Sequence, residues 1–180
     1  MKPEGTVSGG IIVNTRGGSA LRLWHKELIP VLPRNRLVAQ WRELALIRSS
    51  ILRMGTPNHI LVNKVCEYPF SHFYSYAILI REEMLRRGYT TKTDVERRIL
   101  TPWNEDPVEQ ISLPEIYKEW HNDRYFLQCY YNLQEKFDCD NVDEEEWRRM
   151  DSLVCARVCS IQQKMSRSLL SDNSGQANDE

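Results

Sequence analysis

Two short stretches of this 180-residue chain carry side chains with chemical potential. One is Arg42-Glu43, a guanidinium beside a carboxylate, with Arg36 seven residues before the Glu. The other is Arg22-Leu23-Trp24-His25, a cation and a titratable ring around two apolar residues. A carboxylate among arginines has two uses. Exposed, it makes an ion pair worth less than about 1 kcal/mol. Sheltered beside groups that hold phosphates, it can give and take protons. No P-loop, dinucleotide fingerprint, His-Glu-x-x-His or Gly-x-Ser-x-Gly occurs. Five cysteines are an odd number at scattered spacing. Cys155 and Cys159 lie one helical turn apart, yet no histidine pair or second close cysteine pair completes a zinc set. They read as reduced structural thiols, with no metal and no cofactor expected.

The elements that must position these groups read as helices. Leu37, Trp41, Leu44, Ile47 and Ile51 recur at helical spacing and predict a helix over Arg34–Met54, stopped by Gly55 and Pro57. Its opposite face takes Arg36, Ala39, Gln40 and Glu43, so Arg36 and Glu43 lie two turns apart on one side. Phe73, Ala77, Ile80 and Met84 predict a second helix over Pro69–Arg87, capped by Gly88. Asn122 or Asp123 caps a third helix to Phe137, with Phe126, Tyr130, Leu133 and Phe137 inward. Trp147, Met150, Val154, Val158, Ile161 and Met165 mark a fourth, from about Asp143 to Leu170. Trp24 and Trp41 read as core, and His72 and His121 as structural. Lys26 reads as a solvated charge, and His25 as either a core hydrogen-bonder or a site residue. No alternating strand of useful length appears, so the class is all-α, a single domain of three to four main helices with long loops. The expected organisation is an arm over 1–20, a helical domain over 21–150, a helix extension over 151–170 and a disordered tail over 171–180.

Charge adds a hint about the partner. Residues 16–100 hold 15 Lys/Arg against 7 Asp/Glu, and residues 101–180 hold 8 against 17. A basic half beside an acidic half suits a polyanion partner, or two faces that attract each other. No run of about 18 apolar residues spans a bilayer, and the N-terminus lacks the apolar core of a signal peptide. A cytoplasmic protein with no membrane partner is the expectation.

Longer strings carry a family likeness. Leu21-Arg22-Leu23-Trp24-His25-Lys26-Glu27-Leu28-Ile29-Pro30, then Leu32-Pro33-Arg34 and Gln40-Trp41-Arg42-Glu43-Leu44, resemble the pyrimidine-dimer DNA glycosylase family, of the endonuclease V type. The likeness continues through Asn58-His59-Ile60-Leu61-Val62-Asn63-Lys64-Val65, through Tyr74 to Met84 with Arg86-Arg87-Gly88-Tyr89, and from His121-Asn122-Asp123-Arg124-Tyr125 to Lys136. It covers about residues 21–150. The resemblance implies an all-helical domain that removes a base at an ultraviolet-induced dimer and cuts the strand at the abasic site, without metal or cofactor. Its nucleophile is a free α-amine at the chain's start, which attacks the sugar C1′ and leaves an imine. Glu43 matches the assisting Glu on the first long helix. Arg22 matches the arginine just after the nucleophilic residue, and Arg42 the one beside the Glu. Arg36, His59 and Lys64 are the further residues expected on DNA. The implied partner is double-stranded DNA carrying pyrimidine dimers or abasic sites; the sequence leaves the oligomeric state open, with a monomer favoured.

The chemistry of that nucleophile is sound. An α-amine titrates near about 7.7–8.0, so a usable fraction is neutral at neutral pH, whereas a lysine near about 10.4 must be desolvated first. In this sequence the nucleophilic position is Leu21, with twenty residues ahead of it. One explanation is a start at Leu21 through a TTG codon, which initiates with Met. Arg16-Gly17-Gly18 is encodable as AGA-GGA-GGA, a ribosome-binding sequence, with Ser19-Ala20 as spacer. Proteolytic removal of the arm gives the same amine. Without either, the expectation is a non-catalytic DNA-binding or protein-interaction module, or use of Lys26 as a substitute amine.

Overall fold

The computed structural model describes residues 21–55, 59–105 and 108–174. The expected arm over 1–20, Pro57 and Asn58, and the end of the tail over 175–180 lie outside the described residues. Among the described residues every regular element is a helix, in keeping with the all-α class. A 3-10 helix, Lys26–Val31, leads into α1 (Arg34–Met54), α2 (Ile60–Cys66), α3 (Phe70–Arg86) and α4 (Thr93–Leu100). A 3-10 turn, Leu113–Glu115, precedes α5 (Asp123–Asp138) and α6 (Glu144–Ser174).

The apolar stripes set the packing. Leu37, Trp41, Leu44, Ile47 and Ile51 of α1 are all buried, as are Phe73, Ala77, Ile80 and Met84 of α3. These two faces meet, and α2 and α4 pack on α1. Helices of seven and eight residues hold too few turns to show a period, so α2 and α4 left no signal in the sequence. Trp103, in the loop after α4, stands edge-on to Phe70 at 4.7 Å and to Phe73 at 5.0 Å. The α5 helix starts where Asn122 accepts a hydrogen bond from the Tyr125 amide at 3.1 Å, a side-chain N-cap. On α6 the buried stripe runs from Trp147 to Ile161, but Met165 is exposed, so the core ends one turn earlier than its spacing suggests. The helix continues to Ser174, into the stretch read as tail. No helix among the described residues is long and apolar enough to cross a membrane.

The end of α3 is a Schellman motif. The Tyr89 amide donates to the Met84 carbonyl at 2.9 Å, and the Gly88 amide to Leu85 at 2.9 Å. Gly88 takes φ +79°, which side chains disfavour, and a Cβ there would meet nothing within 4 Å. Gly88→Ala therefore costs backbone strain alone, about 1 kcal/mol, read as a lower urea midpoint with an unchanged m-value.

Candidate active site

Residues 21–25 run as an extended strip across the core, and its polar backbone groups are satisfied by side chains. The Arg22 carbonyl accepts from Gln40 Nε2 at 2.8 Å, and the Trp24 amide donates to Gln40 Oε1 at 2.9 Å. Tyr125 donates its hydroxyl to the Leu23 carbonyl at 2.6 Å, and Tyr76 to the Trp24 carbonyl at 2.7 Å. Buried backbone polar groups need such partners. The strip therefore has a fixed course without belonging to any sheet.

At its outer end the Arg22 amide donates to Glu43 Oε2 at 3.4 Å, a long contact that joins the two chemical stretches read in the sequence. Position 21 lies three covalent bonds beyond that amide nitrogen, a contour of about 4.3 Å from nitrogen to nitrogen. Leu21 and Glu43 thus share one corner, both half-buried. Burial pushes the Glu43 carboxyl up to about 7, against the opposing pull of the Arg22 amide and the Arg22, Arg36 and Lys136 charges. A carboxyl poised there exchanges protons near neutrality, which an ordinary surface glutamate does not.

The arginines divide. Arg22 lays its guanidinium over Trp24, 5.2 Å from the ring centroid, and its Nη1 has no hydrogen-bond partner. Arg36 does reach the field of Glu43, but its Nη2 is held by Asn141, by the carbonyl at 2.9 Å and Oδ1 at 2.8 Å. Arg42 is exposed on the neighbouring position. Lys64 pairs with Glu67 at 2.5 Å and lines a groove with Tyr68, Trp120, Arg124 and Tyr125. Tyr125 is also the residue that holds the Leu23 carbonyl, so one wall of this groove touches the strip. His59 stands ahead of α2 with Nδ1 buried and unpartnered, and no contact joins it to Glu43.

Three sequence readings need correction. Lys26 is buried, its ammonium held by the Pro114 and Ile116 carbonyls at 2.6 and 2.7 Å, so it is neither solvated nor free to serve as a substitute amine. Gln40 belongs to the buried face of α1, not the outer one. Only Cys129 of the five thiols is buried, while Cys66, Cys139, Cys155 and Cys159 are exposed and all five are free. His25 proves to be a core residue, bonded through Nε2 to the His121 carbonyl at 2.8 Å. Gln40, Tyr76 and Tyr125 were missed as site-builders. One signal was available for Gln40: it sits three residues after Leu37 and four before Leu44, a polar side chain in an apolar register.

The two charged halves do not neutralise each other through contacts. Among the described residues one ion pair joins them, Arg157 with Glu27 at 2.7 Å, and its polarity is reversed. No group of three or more His, Cys, Asp or Glu among the described residues could hold a metal ion. No curated protein and no solved structure matches the chain. Residues 21–97, which carry the extended strip, Gln40 and Glu43, match the model of the pyrimidine dimer DNA glycosylase family, the family that the sequence strings resemble.

Proposed function

We propose that this protein, in a form whose chain begins at position 21, is a DNA repair glycosylase with abasic-site lyase activity on pyrimidine dimers, acting through the α-amine of that residue. The observation that carries this reading is the corner itself: the Arg22 amide at 3.4 Å from a carboxyl poised near 7, within the segment that matches the glycosylase family. The neutral amine attacks C1′, and the N-glycosidic bond breaks with its electron pair leaving on the base, which takes up a proton. Glu43 as an acid protonates O4′ as the sugar ring opens to the imine. As a carboxylate it removes a C2′ proton, and the C3′–O3′ bond breaks in β-elimination. One group performs both steps only if its pKa lies near the working pH. Arg22, Arg42, Arg36 and the Lys64 edge of the groove are the phosphate contacts of this reading, supported by a basic half that the acidic half does not pair with.

The test uses two chains, one from Met1 and one with Met replacing Leu21 as its first residue. Each is incubated with ultraviolet-irradiated and with abasic duplex under borohydride, which reduces an imine to a permanent link. The shorter chain cross-links and the longer one does not. If neither links to abasic DNA, the amine mechanism is wrong. The second reading then takes its place, a DNA-binding module without chemistry, favoured by the peptide bond that occupies position 21 in the 180-residue chain.

A further inference from the structure

We infer that Gln40 is a positioning residue: its carboxamide straps residue 22 to α1 and thereby sets where the position-21 nitrogen meets Glu43. This rests on the reading above for its catalytic consequence, but its geometry stands apart from it.

Gln40 is 0 % exposed, in the middle of the apolar stripe of α1. A leucine or methionine would fill that place at no polar cost, whereas a buried amide is destabilising unless every polar atom is bonded. Here both ends are bonded to one strip of backbone. The side-chain N–H reaches the Arg22 carbonyl at 2.8 Å, and the side-chain oxygen accepts the Trp24 amide at 2.9 Å. One partner is an acceptor and the other a donor, so the orientation of the amide is fixed by its neighbours. It pairs with residues 22 and 24 as a peptide group of an adjacent strand would. The Tyr76 hydroxyl, 3.2 Å from Gln40 Oε1 and bonded to the Trp24 carbonyl, braces the far end.

Gln40 and Glu43 are three residues apart on one helix, about 4.5 Å in rise and on neighbouring faces. Residue 22 is therefore tethered to the same turn of α1 twice, its carbonyl by Gln40 and its amide by Glu43. Fixing the carbonyl orients the residue whose amide nitrogen carries position 21. Without the carboxamide, Glu43 remains on its helix, but the nitrogen it must serve has lost one of two tethers.

The experiment uses Gln40→Met and Gln40→Glu. On the full chain, the Glu43 carboxyl is followed by carbon NMR through its titration. In Gln40→Met the Arg22 amide no longer reaches Glu43, and the titration midpoint moves upward, because that hydrogen bond favours the carboxylate. In the chain that cross-links abasic DNA, single-turnover imine trapping falls by about 10²-fold while DNA affinity stays within about twofold, the signature of misplacement rather than lost binding. Gln40→Glu separates positioning from packing. Its protonated carboxyl can still donate to the Arg22 carbonyl and accept from Trp24, whereas its ionised form accepts from Trp24 but has no proton to give the Arg22 carbonyl. Its trapping rate relative to the parent chain therefore rises as pH falls. A folded Gln40→Met with an unmoved Glu43 titration, or with the parent trapping rate, overturns the inference. So does a Gln40→Glu ratio that is flat with pH. If the parent chain itself fails to trap, the glycosylase reading has failed, and the NMR titration alone decides whether Gln40 holds residue 22.

Discussion

Glu43→Gln lowers strand cleavage at abasic sites by about 10²–10⁴-fold and, at pH 8, makes the folded chain more stable by up to about 3 kcal/mol. The two effects have one cause. Burial holds the carboxyl at about 7 against an ordinary 4.5, so above pH 7 the native state carries a charge it solvates poorly. The sign follows from proton counts. Between pH 4.5 and 7 the folded chain keeps a proton that the unfolded chain has released, so stability falls as pH rises through that window. Glutamine has the same shape and still accepts the Arg22 amide, but it has no charge to desolvate and no proton to pass. The result is a more stable protein that does less chemistry, the trade expected where a site stores unfavourable electrostatics. Paired urea titrations at pH 8 and gel assays on abasic duplex check both halves. A Glu43→Gln chain that cleaves at the parent rate removes Glu43 from the mechanism. One with parent stability at pH 8 means the carboxyl is not strained.

How much of this was legible follows from what leaves a mark in one dimension. The helices with three or more turns announced themselves by period, and Arg34–Met54 matches residue for residue. Arg36 and Glu43 were rightly placed on one face, and they do share a field. The short α2 and α4 were silent because seven or eight residues cannot establish a repeat. The site was half-legible in the same way. Glu43 and Arg22 stood out as charges in revealing strings. Gln40, Tyr76 and Tyr125 did not, because their work is to bond the backbone of a distant strip, 16 to 102 residues away in sequence. Such bonds depend on tertiary approach, and no local pattern encodes them. Lys26 was misread for the same reason: its two carbonyl partners come from residues about 90 positions downstream.

Acid weakens this fold between pH 6.5 and 4, and the loss is steeper in Glu43→Gln than in the parent by about 1.4 kcal/mol per pH unit between pH 4.5 and 6.5. The source is a stacked pair, His25 and His121, with ring centroids 5.1 Å apart. Each ring presents Nδ1 to a backbone donor, His25 to the Glu27 amide at 3.2 Å and His121 to the Lys26 amide at 3.0 Å. Each must be neutral there, with its proton on Nε2. Adding a second proton sets donor against donor in both places, and it does so with the Lys26 and Arg157 charges nearby, only partly answered by Asp123. Burial is the larger cause: it lowers His25 from 6.5 to about 4 and holds His121 well below its ordinary value as well. The unfolded chain binds these protons below pH 6.5 and the folded chain refuses them, so their stabilisation is whole above 6.5 and drains away as pH falls towards 4. His25 alone accounts for about 3 kcal/mol of that. Glu43 works against it, since over most of the same window acid relieves its buried charge. The parent chain therefore shows a shallower slope than its histidines dictate, and Glu43→Gln exposes the full slope. Urea titrations from pH 4 to 8 on both chains give the two curves. Parallel curves would mean that Glu43 does not titrate near 7, and flat curves that the histidines accept protons in place. The pair also bears on the site, because His25 closes the inner end of the strip whose outer end is position 21. Acid that protonates it loosens the anchor of the nitrogen that Glu43 serves, so cleavage should fail on the acid side before the helices melt.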